Sequence, residues 1–267
     1  MKKLFLFLLC AVLLCAGLCG CKPAANPASD FEYRVSDSYG DAGGVLIQKY
    51  VGTATTVVIP EKIEGKPVFN IDIMAFANTN IEKVVIPDTV INIADMAFKN
   101  CPALKEVVFG SGLQIICRQA FMNCPSLQEA ILPSSLRTLN YEAFSLCTSL
   151  KKVRLPKSLT LLGSAAFLLC PVEELILEDG ITMFGSSYAF SGSKFKTLTI
   201  PASVQTIGSE SFIVYAGELE QVFFEGDAPL SVGKEPFGTK AVVIYYKAGT
   251  NGWEDTPLRD QYTLIAQ

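Results

Sequence analysis

The order of residues in one repeat unit decides the fold: Leu127-Gln-Glu-Ala-Ile-Leu-Pro133, Ser-Ser-Leu136-Arg-Thr-Leu139, Ala143-Phe144 and Cys147. The next unit, from Leu150 to Cys170, has the same order. The Ala-Phe pair, which is Ser-Phe in the last and weaker copy, recurs at intervals of 22 or 23 residues. Its phenylalanines are Phe76, Phe98, Phe121, Phe144, Phe167, Phe190 and Phe212. A period of this length is typical of a solenoid, in which each unit buries its apolar face by stacking on the next.

Each unit divides into a strand and a return segment. Apolar residues alternate in the first part, and a proline such as Pro133 or Pro156 ends it, which predicts a β-strand. The spaced leucines and the Ala-Phe pair then point inward from a segment that is irregular or briefly helical. The unit is too short for a long crossover helix. The predicted class is therefore α/β: a leucine-rich repeat solenoid with one parallel β-sheet and short irregular or helical return segments.

The unit resembles the bacterial leucine-rich repeats of the BspA-like, or treponemal, surface-protein family. The shared pattern is a strand that ends in Ile/Leu-Pro, a spaced Leu/Ile pair, and Ala-Phe-x-x-Cys. With the flanks that also resemble the family, it predicts an N-terminal cap at 31–56, repeats at 57–226 and a C-terminal cap at 227–267. The resemblance is specific for the fold and much less so for function, because leucine-rich repeats are a scaffold on which sites vary.

The N-terminus predicts a lipoprotein signal peptide at 1–20. Lys2 and Lys3 precede an apolar run, and Leu18-Cys19-Gly20-Cys21 resembles a lipobox. Cys21 is the predicted lipid acceptor, because the small residue Gly20 precedes it. Residues 21–30 would form a short polar tether. The alternative is an uncleaved membrane anchor, and either interpretation places the domain outside the cytoplasm.

Composition argues against several classes of function. The 267 residues include no histidine, so Ser-His-Asp and Cys-His arrangements cannot be built. The chain has no phosphate loop, no dinucleotide fingerprint and no Cys-x-x-Cys pair. Glu129 and Glu173-Glu174 could serve a glycosidase in principle, but are expected to be solvated strand residues. A net charge of -4 without a basic cluster disfavours nucleic acid as a partner. We expect no enzyme, no cofactor and no metal site.

Four cysteines form a second periodic row: Cys101, Cys124, Cys147 and Cys170, each three residues after the phenylalanine of its unit. Coils stacked about 4.8 Å apart would hold parallel Cβ atoms wider than the roughly 3.5–4.5 Å that a disulfide prefers. We expect free thiols in equivalent core positions. Disulfides are the alternative, because the predicted setting is extracellular. Cys117 lies outside this row.

The repeat also predicts a surface. In the strand around Val107, alternation places Leu104 and Phe109 inward, and Glu106 and Val108 outward. The equivalent outward positions are Val85, Val108, Ile131, Arg154, Ile176, Thr199 and Phe223. Such an apolar row with a charged rim is a candidate protein-binding surface. The alternative is that β-branched residues occupy exposed strand positions through propensity alone.

The predicted binding residues are Val108, Ile131, Arg154, Ile176, Thr199 and Phe223. Arg154 and Phe223 carry most weight, because strand propensity requires neither and both are types that anchor interfaces. Tyr245, Tyr246 and Trp253 are expected to cover the end of the core.

Two functions remain. The first is an envelope-anchored binding protein that uses its strand face for adhesion, with a host matrix or envelope protein or a glycan as partner and the membrane contacted through lipid on Cys21. The resemblance favours it, because the family includes adhesins for host matrix proteins. The alternative is a structural or assembly component of the bacterial envelope without a host ligand.

Overall fold

The computed structural model describes residues 23–36, 43–184, 188–213, 219–238 and 241–267. The predicted signal peptide and Cys21 therefore lie outside the described residues. The described helices are the 3-10 turn Ala28–Asp30 and α1 (Leu258–Gln261), and both lie outside the repeats.

Short strands make up the rest of the regular structure. Those of the first half are β1 (Phe31–Ser36), β2 (Gly44–Tyr50), β3 (Thr56–Val58), β4 (Lys62–Ile63), β5 (Lys66–Ile71), β6 (Lys83–Val85), β7 (Asn92–Ile93), β8 (Glu106–Val108), β9 (Ile115–Ile116), β10 (Glu129–Ile131) and β11 (Thr138–Leu139). Those of the second half are β12 (Lys152–Leu155), β13 (Leu161–Leu162), β14 (Glu174–Leu177), β15 (Met183–Phe184), β16 (Thr197–Ile200), β17 (Thr206–Ile207), β18 (Gln221–Phe224), β19 (Ser231–Val232), β20 (Val243–Tyr246) and β21 (Thr263–Ala266).

The strands stack in two parallel ladders. The long-strand ladder runs in three sheets, β3-β6-β8, β10-β12-β14 and β16-β18-β20-β21. The short-strand ladder has two-residue strands in β7-β9-β11-β13, which continue from β5, and in β15-β17-β19. An antiparallel hairpin, β1-β2, starts the short-strand ladder and forms the N-terminal edge.

The solenoid agrees with the sequence-based prediction, whereas the α/β class, the single sheet and the helical return segments do not. The second leucine of each Leu-x-x-Leu pattern lies in a short strand of the second ladder, not in a helix. Because both parts of each repeat are strands, the described repeats form a β-solenoid. Gln119 (φ 56°) and Asn123 (φ 58°) show the reason, because they bracket the pair Ala120-Phe121 with left-handed backbone. A helix needs φ near -63° at each residue, so these residues interrupt it. The same bracketing occurs at Met74 and Asn78, Met96 and Asn100, Glu142 and Leu146, and Ala165 and Leu169.

One coil joins two blocks of the ladders. It carries β14 and β15. Its long strand, β14, pairs with β12 of the preceding coil, and the sheet ends there. Its short strand, β15, pairs with β17 of the following coil. This joint coil is therefore paired with the preceding coil through the long-strand ladder and with the following coil through the short-strand ladder.

The repeated phenylalanines form the predicted spine of the core. Consecutive rings from Phe76 to Phe212 stack with centroids 4.7 to 5.5 Å apart, and all of them are fully buried. At one end the Tyr50 ring stacks on Phe76 with centroids 5.3 Å apart, and at the other end Phe237 stacks on Phe212 at 5.8 Å. The stack therefore ends at these two residues. Offset aromatic stacking adds to the stabilisation that burial of each ring supplies.

The cysteine row consists of free thiols, as expected. Each Sγ–H donates to the backbone carbonyl of the phenylalanine one coil earlier, for example Cys147 to Phe121 at 3.2 Å and Cys170 to Phe144 at 3.0 Å. Burial raises the pKa of the Cys147 thiol, which keeps it in the neutral, donating form. The same geometry in all four coils explains the residue type: the thiol fills a small core position and donates a hydrogen bond to a buried carbonyl.

The N-terminal segment is attached to the first long strand. The Asn26 backbone N–H donates to the Val58 carbonyl (2.9 Å), and the Val58 N–H donates to Asn26 Oδ1 (2.8 Å). The Asn26 side-chain amide also donates to Asp30 Oδ2 at 2.9 Å. These bonds occupy part of the edge of β3, which would otherwise be open to other strands. The chain is thus fixed to the solenoid from Asn26 onward.

Candidate binding surface

The outward row of the long-strand ladder has the register that the repeat predicts. Val85 pairs with Val108 in one sheet, and Thr199 with Phe223 in another. In the middle sheet, Arg154 lies between Ile131 and Ile176. Val108, Arg154 and Thr199 are exposed, and the other members of the row are partly buried by their neighbours. The structure thus aligns the predicted residues, while their role in binding stays a prediction.

The row is longer than the sequence analysis indicated. Val58 pairs with Val85 at one end, and Tyr245 follows Phe223 at the other. Ile265 then pairs with Tyr245 and is 41% exposed. The repeat period could have found Tyr245, which lies 22 residues after Phe223. The predicted capping role covers Tyr245 together with Tyr246 and Trp253 and misses the outward side of Tyr245.

Arg154 forms an ion pair with an acidic residue of the neighbouring coil. Its guanidinium forms an ion pair with Glu178, at the end of the next strand. Glu178 also accepts the backbone N–H of Lys157 at 3.0 Å, which fixes the carboxylate in place. About half of the Arg154 side chain remains exposed. The row therefore presents a planar, positioned cation whose charge is already compensated.

Ion pairs between adjacent coils flank the row. Lys83 binds Glu106 at 2.7 Å, and Lys152 binds Glu174 at 2.8 Å, each across one ladder step. A parallel set lies one residue earlier, including Lys105 with Glu82 at 2.7 Å. Exposed pairs of this kind contribute little to stability. They do neutralise the rim locally, so the face offers an apolar row between compensated charges.

Aromatic rings dominate the C-terminal end of the row. Phe223 and Tyr245 stack with centroids 5.0 Å apart, beside an open cavity of about 500 Å³ that Glu225, Lys247 and Gln267 also line. Trp253 is 2% exposed and stacks on Tyr246 at 4.5 Å. The expected capping role thus fits Trp253 and Tyr246, whereas Tyr245 belongs to the outer surface.

A groove lies at the opposite end of the same face, and we call it the N-terminal groove. It has a volume of about 580 Å³. Its apolar lining comes from the ends of the first three long strands and from the N-terminal segment: Pro23, Val58, Pro60, Val85, Pro87 and Val108. The charged residues Glu61, Lys62 and Asp88 also line it.

Other chemistry is not apparent in the part of the chain that the structure describes. No cluster of three or more acidic, cysteine or histidine side chains there could hold a metal ion. No helix in the same ranges has the length and apolarity needed to cross a membrane. Glu129 and Glu174 are exposed on the strand surface, as expected for solvated residues.

The fold and the surface together define a leucine-rich repeat solenoid with an open strand face. The BspA type leucine-rich repeat model matches in six copies, over residues 70–188 and 185–225. The chain belongs to this BspA-type family, whose repeats imply protein–protein interaction in general. No curated protein gives a significant match.

Solved structures agree with this assignment. A leucine-rich repeat protein from T. pallidum is 28% identical, with 79% of this chain and 86% of that chain covered and a TM-score of 0.60. A leucine rich cell surface protein from Faecalibacterium prausnitzii is 24% identical, with coverages of 85% and 77% and a TM-score of 0.59. A leucine-rich repeat protein from Bacteroides ovatus is 18% identical, with coverages of 88% and 75% and a TM-score of 0.51. The last two similarities concern the fold alone.

Proposed function

We propose that this protein is a non-enzymatic, lipid-anchored binding protein of the bacterial envelope, which engages another protein through the outer row of its long-strand ladder. The observation that carries the proposal is the row itself: Ile131, Arg154 and Ile176 in direct register, continued by Thr199 and Phe223. Apolar side chains with a planar cation and aromatic rings are the types that anchor protein interfaces. BspA-type repeats and the lipobox support adhesion at the cell surface.

An extended protein segment suits this row better than a small molecule. From Ile131 to Phe223 the row crosses four ladder steps, which is about 20 Å at the usual spacing. Its central part is a shallow strip of side chains, and the rim charges of Lys83, Glu106, Lys152 and Glu174 are paired on the protein itself. A partner should therefore present mostly apolar and neutral polar groups. Binding should also depend only weakly on salt, because few unpaired charges attract it.

A structural role in the envelope is the second candidate. In that case the same solenoid would contact other envelope proteins without a host ligand. A pull-down with residues 22–267 against host matrix proteins and against bacterial envelope extract distinguishes the two. Specific capture of a host matrix protein supports adhesion. Capture of envelope proteins alone supports assembly.

The first test of binding uses Arg154→Ala and Ile176→Ser. We expect each variant to weaken binding to the captured partner by more than about 1 kcal/mol, because a central anchor is lost from the interface. The measurement is the dissociation constant, with circular dichroism as the folding control. Arg154→Lys should bind the partner little better than Arg154→Ala does, since lysine keeps the charge but lacks the planar guanidinium.

Unchanged affinity in both variants would contradict the assignment. If Tyr245→Ala lowers affinity while Arg154→Ala and Ile176→Ser do not, the site lies at the C-terminal end of the row. Lys157→Ala is a matched control, because it removes an exposed cation outside the row and keeps the backbone N–H that bonds to the same Glu178 carboxylate.

The anchor is tested by Cys21→Ser. Because the thiol of Cys21 is the proposed lipid acceptor, we expect the variant to be released from membranes or to accumulate as unprocessed precursor. Membrane fractionation and mass spectrometry of the N-terminal peptide measure the outcome. A variant that remains membrane-bound as a mature, acylated species would exclude Cys21 as the acceptor. Cys19→Ser is the control and should be processed normally.

A further inference from the structure

The N-terminal groove lies at the N-terminal end of the outer row, and three members of that row, Val58, Val85 and Val108, line it. Part of its backbone offers no free hydrogen-bond donor. The Ile59 N–H donates to the Val85 carbonyl at 3.0 Å, and the Ile86 N–H to the Val108 carbonyl at 2.9 Å. Pro60 and Pro87, which follow these residues, carry no backbone N–H at all. Hydrocarbon cannot accept hydrogen bonds, so a lining with few unpaired donors is what it requires.

The bonds at Asn26 also disfavour a strand-like peptide as the occupant. An added strand needs open N–H and C=O groups along an edge. On β3, the N–H and C=O of Val58 are both engaged by Asn26, at 2.8 and 2.9 Å. The groove therefore offers apolar side chains and proline rings, and at Val58 it has no open backbone groups with which an added strand could pair.

The position of the groove relates it to the N-terminus. Pro23 and Ala25 form part of its wall, and the chain is fixed to the solenoid at Asn26. Two residues of chain, at no more than about 3.6 Å each, connect Cys21 to Pro23, so this connection can reach about 7 Å at most. A lipid on Cys21 would thus be held beside the mouth of the groove, with no long spacer between them.

We propose that the N-terminal groove binds a fatty-acyl chain of the lipid attached to Cys21, so that the first three coils rest on the membrane surface. This inference rests on the proposed acylation of Cys21. The apolar lining, with Pro23 and Ala25 in the wall, and the short connection to Cys21 favour occupation of the groove by one chain of this lipid. The membrane would then lie at the N-terminal end, and Phe223 and Tyr245 would lie at the far end of the same face.

The test measures how close each end of the solenoid lies to lipid. Full-length protein, processed and purified from bacterial membranes, is reconstituted into phosphatidylcholine vesicles that contain doxyl-labelled lipid. Cys117→Ala removes the partly exposed thiol, and bimane is attached at Lys62→Cys or, on the C-terminal cap, at Lys247→Cys. We expect doxyl lipid to quench the probe at position 62 several-fold more than the probe at position 247.

Groove variants separate occupation from mere proximity. Val108→Asp places a carboxylate in the groove at a position that is 40% exposed, so the fold should tolerate it. It should abolish most of the excess quenching at position 62. Ile176→Asp, on the same row three coils away, is the matched control and should leave the quenching unchanged. Circular dichroism checks that both variants fold.

The outcomes distinguish this inference from the proposed anchor. Acylated Cys21 with equal quenching at the two positions, or with quenching that Val108→Asp leaves unchanged, overturns the groove assignment and leaves the anchor intact. Unacylated Cys21 in the mass spectrum overturns both. A probe at position 62 that becomes shielded from solvent without doxyl quenching also overturns the inference, because the first three coils then do not rest on the membrane.

Discussion

Phe121→Ala should lower the free energy of unfolding by about 3–5 kcal/mol, because it removes a fully buried ring and leaves a cavity between two others. Phe121 stacks on Phe98 and on Phe144, with centroids 4.9 Å away on both sides, and Phe109 meets its edge at 5.8 Å. Neighbouring coils are held apart by their own hydrogen bonds and cannot close the gap. Chemical denaturation followed by circular dichroism measures the loss.

Phe237→Ala is the matched control for this prediction. Phe237 ends the parallel stack: it stacks on Phe212 at 5.8 Å, and Phe224 and Tyr262 pack against it in T-shaped geometry at 6.2 and 5.7 Å. We expect its replacement to cost clearly less than that of Phe121, since a terminal coil can relax more freely. Equal and small losses at both positions would contradict a continuous aromatic spine.

Cys147→Ser should destabilise the protein by about 1–3 kcal/mol, although the two side chains differ by one atom. The Cys147 thiol reaches the Phe121 carbonyl at 3.2 Å. Ser193 occupies the equivalent position in the joint coil, and its buried Oγ has no hydrogen-bond partner among the described residues. The shorter C–O bond thus leaves a buried hydroxyl unsatisfied, which carries a desolvation cost. Thermal and denaturant unfolding under reducing conditions measure the difference.

The reverse substitution tests the same explanation. Ser193→Cys should raise the stability, because a thiol at this position can reach the carbonyl of the preceding coil. If Ser193→Cys lowers the free energy of unfolding, or if Cys147→Ser leaves it unchanged, the thiol hydrogen bond does not explain these positions. Side-chain size would then be the reason for the residue type.

Periodicity predicted the features that repeat on every coil. The spine from Phe76 to Phe212, the row of free thiols and the register of Val108, Ile131 and Phe223 all follow from a 22- or 23-residue period and strand alternation. These are properties of stacking: once one coil is placed, the next must bury equivalent residues in equivalent positions.

Features that differ between coils, or that depend on backbone angles, did not follow from the sequence. The left-handed residues around Ala120-Phe121 include Gln119, a type that gives no turn signal, so the sequence predicts only an irregular or briefly helical return segment. The second ladder, at Ile115–Ile116 and its equivalents, is not predicted. The pairing of Arg154 with Glu178 depends on one side chain at the end of the next strand. The attachment of Asn26 to Val58 joins residues 32 apart and matches no repeat position.

The joint coil has a consequence for a protein held at one end. If a partner pulls on the C-terminal end while the N-terminus is anchored, the tension runs along the stacked coils. Across most steps this load is shared by hydrogen bonds of both ladders. Among the described residues, β14 pairs on one side of the joint coil and β15 on the other, and the return segment adds backbone bonds such as that from the Phe167 N–H to the Ala189 carbonyl at 2.8 Å. The two steps beside the joint coil therefore have one strand pairing each, as has the step from β8 to β10. Mechanical yielding should begin at one of these steps, where fewer strand hydrogen bonds share the load.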